Sequence, residues 1–260
     1  MKRTPIAILC VFFLLSSVVY GQNNRLNTHG SIGWYNAFVN VQTHKKFSLH
    51  GEFQWRRADL ITNAQQSLLR VGLNYHLNPR VLFRAGYAWI ETFPYGEIPL
   101  NALGRDFTEH RFYQMVQLFH KEDIVEFSHR FMLEQRFIGR YSSAAAMKED
   151  EFIFSNRLRY MFRAQLPLKG KSIADKTPYV ALYDEIFIGF GENVNANVFD
   201  QNRLGVMVGY RFNKVIRIEG GYINQILQFG RQINGQSVFQ YNNGVIVNTY
   251  LNIDAMEKSK

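Results

Sequence analysis

The chain of 260 residues has one cysteine, Cys10, only six prolines and no uninterrupted apolar run of about 18 residues. A lone cysteine excludes a disulfide scaffold. The missing apolar runs, with a mean hydropathy of −0.21, exclude a helical membrane protein. Charge runs, low-complexity tracts and Ser/Pro-rich linkers are absent too, so nothing marks a second domain. No metal-ligand spacing, GxSxG elbow or phosphate-binding glycine loop occurs. Apolar and aromatic residues are plentiful, at 47% and 15%, which excludes a disordered chain.

The start reads as an export signal. Lys2 and Arg3 precede an apolar stretch from Ile6 to Val19, and Val19-Tyr20-Gly21 offers a cut after a small residue. Interrupted by Ser16 and Ser17, the stretch is short of the ~20 residues a spanning helix needs. A lipoprotein cut at Cys10 is disfavoured because Leu9 precedes it and it lies inside the apolar core. The expected organisation is a signal peptide over 1–21, one domain over 22–254 and a polar tail over 255–260. Processing removes Cys10 and lowers the formal charge from +9 to +7.

Beyond residue 30 the dominant feature is alternation. In 151–166, Arg157, Arg159 and Arg163 share one face with Ser155, while Phe152, Phe154, Leu158, Tyr160 and Phe162 share the other. Period 2 over about 16 residues describes a strand far longer than the usual five or six. Similar patterns predict strands near 30–41, 47–56, 66–77, 81–93, 107–119, 124–138, 178–190, 199–212, 215–229 and 238–252. That makes eleven, where bacterial single-chain barrels have an even number, so ten to twelve are expected. The prolines after residue 21 fall in or beside turns, where a missing amide donor is tolerated. Connections at 42–46, 78–80, 121–123 and 213–214 are short; those at 57–64, 94–106, 139–150, 191–198 and 230–237 are longer. The stretch 168–177 is a long member of the short set. This is the pattern of an up-and-down meander.

A soluble sandwich also alternates, but with its apolar face inward. Strand length, the placement of cations and the aromatic positions argue for the inverse. Lysines fall in predicted turns, loops or the tail: Lys45, Lys46, Lys121, Lys148, Lys169, Lys171, Lys176, Lys214, Lys258 and Lys260. Strand interiors carry arginine, whose weakly hydrated planar fork suits a confined polar interior. Trp55, Tyr75, Tyr87, Trp89, Tyr160, Tyr210 and Tyr222 sit on apolar faces, where they can form interfacial girdles. Turning 151–166 around would put three arginines in lipid at about 2–4 kcal/mol each near the midplane. The arginines therefore face inward. The expected fold is an all-β, antiparallel up-and-down transmembrane barrel with an arginine-rich lumen.

Projected inward, the strands give Arg56, Arg70, Arg84, Arg111, Arg130, Arg136, Arg157, Arg159, Arg163, Arg203, Arg211 and Arg217. Against these stand Glu52, Glu109, Glu126, Glu134, Glu185 and Glu219. The excess suits an anionic or sugar-acid solute. The blander reading, and the one to prefer from the residues alone, is that they brace a narrow barrel as an ion-pair and hydrogen-bond network; the two can coexist. Twelve strands would enclose a backbone diameter of roughly 24 Å, leaving a passage of about 10 Å or none if the arginines interlock. The 94–106 loop is long enough to fold in as a constriction. Ser128-His129 is the one tempting catalytic pair, but adjacent strand residues face opposite ways. The basic residues form no outward patch for nucleic acid.

Several runs occur in order: Lys46-Phe47-Ser48-Leu49 through Glu52-Phe53-Gln54-Trp55-Arg56-Arg57, Glu109-His110-Arg111-Phe112-Tyr113-Gln114, His129-Arg130 with Glu134-Gln135-Arg136, Arg157-Leu158-Arg159-Tyr160, Asp184-Glu185-Ile186-Phe187 and Gln201-Asn202-Arg203. In these the chain resembles the domain-of-unknown-function family 2490 over nearly its whole length after residue 21. The resemblance implies an outer-membrane barrel and brings no catalytic residues. A departure from typical barrels is the polar 255–260 after Tyr250, where an aromatic end is usual. The reading is a monomeric outer-membrane barrel, without cofactor, in contact with outer-membrane lipid. Its expected role is a narrow passive pore for small polar, anionic or sugar solutes. The alternatives are an enzyme acting on lipid or envelope glycan, and a closed structural or adhesive barrel.

Overall fold

The structure, a computed structural model, describes residues 24–195 and 197–256; the expected signal peptide and residues 257–260 of the expected tail lie outside the described residues. The alternating segments become eleven strands: β1 (Arg25–His44), β2 (Phe47–Ala58), β3 (Asn63–Asn78), β4 (Val81–Thr92), β5 (Phe107–Glu122), β6 (Val125–Arg140), β7 (Glu151–Pro167), β8 (Thr177–Phe190), β9 (Phe199–Arg211), β10 (Ile216–Ile233) and β11 (Gln236–Asp254). Each strand pairs with its sequence neighbours, and β1 pairs with β11 to close the barrel. At strand spacing of about 4.8 Å and a tilt near 40°, the backbone diameter is roughly 22 Å.

The count of eleven falls within the expected ten to twelve, and closure makes one seam of the otherwise antiparallel sheet parallel. Strands that alternate in direction return with the same sense after an odd number, so β1 and β11 run parallel. Their register is continuous from Arg25↔Ser237 to Gln42↔Asp254. A parallel ladder is slightly weaker per residue, and side chains stitch this one. Asn36 Nδ2 donates to Asn248 Oδ1 at 2.8 Å, Asn40 Nδ2 donates to Asn252 Oδ1 at 3.1 Å, and Phe38 stacks on Tyr250 with centroids 4.8 Å apart.

The expected long connection at 230–237 is corrected. β10 and β11 continue to Ile233 and Gln236, joined only by Asn234 and Gly235 at φ 50° and 75°. Two consecutive positive φ values make the tight hairpin that an Asn-Gly pair favours. Lys121 lies within the last residues of β5 rather than in the turn. The remaining long connections, 93–106, 141–150 and 191–198, rise from the same rim as the 234–235 hairpin; 168–176 projects from the opposite one.

Leu49, Phe53, Leu69, Val71, Leu73, Phe112, Leu158, Val206 and Val208 are exposed on the outside. So much contiguous exposed apolar surface is foreign to a water-soluble monomer. Polar groups on this face satisfy one another: Gln114 and Gln135 exchange amide hydrogen bonds at 3.2 and 3.1 Å, and Asn202 Nδ2 donates to Asp184 Oδ1 at 2.8 Å. On the inner wall, tyrosine rings lie flat over cross-strand glycines. A Cβ at Gly205 would stand 2.1 Å from Tyr183 Cε1, and one at Gly209 would stand 2.3 Å from Tyr179 Cζ.

Candidate functional site

The inward positions of β2 to β10 bring their charged groups together in the lumen. Glu134 of β6, with 0% exposure, is the hub. Its carboxylate accepts from Arg157 Nη2 at 2.6 Å and Arg159 Nη1 at 2.7 Å, with Arg70 Nη2 and Arg111 Nη1 each at 3.8 Å. Glu109 holds Arg111 Nε at 2.5 Å and Arg136 Nε at 2.6 Å. Glu185 holds Arg130 and Arg159, both at 2.8 Å, and Glu52 holds Arg70 at 2.8 Å. Arg163 pairs with Glu219, which also accepts from Tyr179 Oη at 2.7 Å and Tyr250 Oη at 3.2 Å. Several of these pairs skip strands, reaching from β3 to β6, from β6 to β8 and from β7 to β10.

Asp200 belongs to this network although strict alternation turns it outward. β8 and β9 slip register between Phe187↔Gln201 and Ile188↔Phe199, leaving Asp200 unpaired in the ladder. That bulge buries both Asp200 and Gln201. Asp200 then meets Arg157 Nη1 at 2.6 Å and Arg136 Nη1 at 3.6 Å. A slip between β2 and β3 likewise releases Gln65, which is buried and accepts from Trp34 Nε1 at 2.8 Å. Two residues projected into the lumen serve the rim instead. Glu126 Oε1 accepts from Ile173 N at 3.0 Å, and Arg211 Nη1 donates to Ile173 O at 3.0 Å, both tethering the 168–176 connection.

Four lumen arginines have no carboxylate within ion-pair distance among the described residues. Arg56 donates to Gln66 Oε1 at 2.6 Å and to Gln54 Oε1, and its Nε has no partner. Arg203 donates to Gln201 Oε1 at 3.0 Å, and Arg84 to Asn74 Oδ1 at 2.6 Å. Arg217 lies 4.1 Å over the Tyr250 ring. The lumen thus has two electrostatic parts, an ion-pair network and a set of unmatched cations.

Two cavities occupy the lumen. The larger, about 760 Å³, lies towards the 45–46 rim and is lined by His50, Arg84, Arg130, Arg163 and Arg217 among others. The smaller, about 350 Å³, lies towards the 93–106 rim and is lined by Tyr95, Glu109, Arg111, Arg136 and Asp200 among others. Arg56 and Arg203 line both. The 93–106 connection crosses the mouth of the smaller cavity. Arg231 of β10 donates to Pro99 O at 2.6 Å and Leu100 O at 3.3 Å, Thr28 of β1 donates to Glu97 Oε2 at 3.2 Å, and Tyr95 is buried. Beside it Arg105 donates to Ala146 O and Ala144 O of the 141–150 connection, at 2.6 and 2.9 Å. There the Ser142 hydroxyl and amide bond Asp150 and hold its carboxyl below the ordinary range.

Ser128 is buried in the lumen and His129 Nδ1 bonds Tyr160 Oη on the outside at 2.9 Å, so that pair cannot cooperate. A different contact joins Ser48 Oγ to His76 Nε2 at 2.9 Å across β2 and β3; no carboxylate orients His76 among the described residues. Among the described residues no group of three or more His, Cys, Asp or Glu could hold a metal.

A family model described as "Protein of unknown function (DUF2490)" matches residues 32–235, from β1 to the β10–β11 turn. No curated protein matches the sequence significantly. Among solved structures, one described as "NanC porin structure in rhombohedral crystal form" aligns with a TM-score of 0.42 and 13% identity, over 80% of this chain and 91% of that chain.

Proposed function

Since this chain belongs to the DUF2490 family of proteins of unknown function, its role has to come from its own lumen, and we propose that it is a monomeric outer-membrane pore passing small anionic solutes. The observation that carries this reading is the set of lumen arginines without carboxylate partners, Arg56, Arg84, Arg203 and Arg217. A purely structural network has no use for four unmatched cations, whereas an anion path requires them. The outward apolar surface and inward charge support a membrane setting, because every lumen arginine would cost about 2–4 kcal/mol if the faces were exchanged near the midplane. The export signal expected over 1–21 supports an outer-membrane address.

Recording from the purified protein in planar bilayers tests the reading. Stable steps with a reversal potential shifted towards the anion are expected; total silence would sink it. The Glu134 hub favours a second reading, a closed structural barrel. In that case the protein inserts, folds and stays silent. Accessibility of surface tags in intact and permeabilised cells checks the address independently.

A further inference from the structure

Deepening the pore reading, on which it rests, we infer that Arg56, Trp34 and Arg203 form a binding station for a carboxylate carried on a hydroxyl-rich body, placed where the two lumen cavities meet. Both guanidinium groups are buried, and a buried cation without an anion is strongly unfavourable. Most buried arginines of this lumen meet that demand with a carboxylate; these two do not. Where a glutamate would neutralise them the chain places amides, Gln54 and Gln66 for Arg56 and Gln201 for Arg203. The amides fix each guanidinium and leave its charge unspent, so the counter-charge must come from a visiting molecule.

The geometry presents both groups together. The Arg56 guanidinium lies 4.1 Å from the Trp34 ring centroid and that of Arg203 lies 4.7 Å from it, with Phe187 4.5 Å from Arg203. Aromatic faces packed on guanidinium planes direct the N–H edges sideways, the direction in which a planar carboxylate is received. Arg56 Nε is still without a partner. Arg56 and Arg203 are the residues common to the walls of both cavities, so a solute crossing between them meets this station. The side-chain amides of Gln54, Gln201 and Gln225, each able to donate and accept, line these walls and match hydroxyl groups better than a bare inorganic ion.

Trp34 supplies the readout, because it is buried in the lumen whereas Trp55 and Trp89 are exposed on the outside. The full-length protein folded in detergent micelles is titrated with sodium gluconate, glucose and sodium phosphate while tryptophan emission is followed. Saturable quenching by gluconate is expected, absent in Trp34→Phe and weakened at least tenfold in Arg56→Gln/Arg203→Gln. Heat-dependent migration on gels shows whether each variant has folded, and Arg56→Lys/Arg203→Lys, which keeps both charges but loses the planar forks, is expected to bind with intermediate strength. An unsaturable response to gluconate, or one unchanged in both double variants, overturns the station. Equal binding of phosphate overturns the carboxylate assignment, and equal binding of glucose overturns the role of charge. Bilayer recording separates this proposal from the pore reading: a conducting barrel without gluconate binding defeats the station alone, and gluconate binding by a silent barrel defeats the pore alone.

Discussion

Replacing Glu134 with glutamine tests how far the lumen network holds the barrel. The change keeps the shape of the side chain and removes its charge. In the native lumen that charge faces Arg157 at 2.6 Å and Arg159 at 2.7 Å, and all three residues are buried. Breaking a buried pair by removing one partner costs about 3–5 kcal/mol, because the stranded charge stays buried. Here the stranded arginines keep Asp200 and Glu185, at 2.6 and 2.8 Å, which places the loss at the low end, about 3 kcal/mol. At about 1.4 kcal/mol per tenfold, that is roughly a hundredfold in the unfolding equilibrium. It is also a large part of the roughly 5–15 kcal/mol typical of a folded domain. The assay is urea unfolding of the barrel in detergent or vesicles, followed by tryptophan emission, with the midpoint read for native and variant protein. Arg203→Gln is the internal contrast: among the described residues no carboxylate lies within ion-pair distance of it, so its midpoint should stay within about 1 kcal/mol of native or rise. Equal midpoints for Glu134→Gln and native protein, or a larger fall for Arg203→Gln, would refute the division of the lumen into paired and unmatched cations.

Arg231→Ala removes the bonds to Pro99 and Leu100 that draw the 93–106 connection across the smaller cavity. Bilayer conductance should rise and become noisier, and unchanged conductance would remove the loop from the permeation path. Gly205→Ala drives a Cβ to 2.1 Å from the Tyr183 ring; overpacking of this kind costs about 1–3 kcal/mol. A Gly205→Ala/Tyr183→Ala double variant should lose less than the sum of the two single losses, and strict additivity would mean the ring is not what the glycine accommodates. The Asp150 carboxyl is held below its ordinary value by Ser142. Its contribution to order in the 141–150 connection is therefore complete above the unfolded carboxylate range and disappears as pH falls through the lower folded value. Hydrogen exchange of this segment should be flat, after correction for intrinsic rates, down to about pH 4 and accelerate only below it; acceleration already near pH 6 would refute the assignment.

Strand number, strand positions and face assignment were legible because a period of 2 over a dozen residues has one interpretation once arginines occupy one face. Bulges are where that logic stops. Asp200 sits at an even position beside inward Gln201 and Arg203, and only a one-residue slip against β8 turns it into the lumen. Gln65 escapes for the same reason. Neither slip leaves a mark on the local pattern, since both residues are polar and near a strand end. The Asn234-Gly235 hairpin was written in the sequence, and the polar residues around it disguised it as a longer loop. Parity was legible as a count of eleven, whose consequence is the parallel seam. Which arginine meets which acid was not legible. Arg163 on β7 finds Glu219 on β10 through the curvature of the closed wall, a property of circumference and tilt that no strand carries alone.

The parallel seam also gives the molecule a head and a tail. Arg25 begins β1 on the rim that carries 93–106 and 141–150, and Asp254 ends β11 on the rim that carries 45–46, where Ala255 N donates to Gln42 O at 3.0 Å. A short peptide joining those ends would have to thread the crowded lumen or run the length of the apolar outer wall, so this barrel resists the circular permutation that an even-stranded one allows. On the pore reading, small epitopes fused next to the two strand ends would stand on opposite sides of the membrane, making a single chain report both surfaces at once.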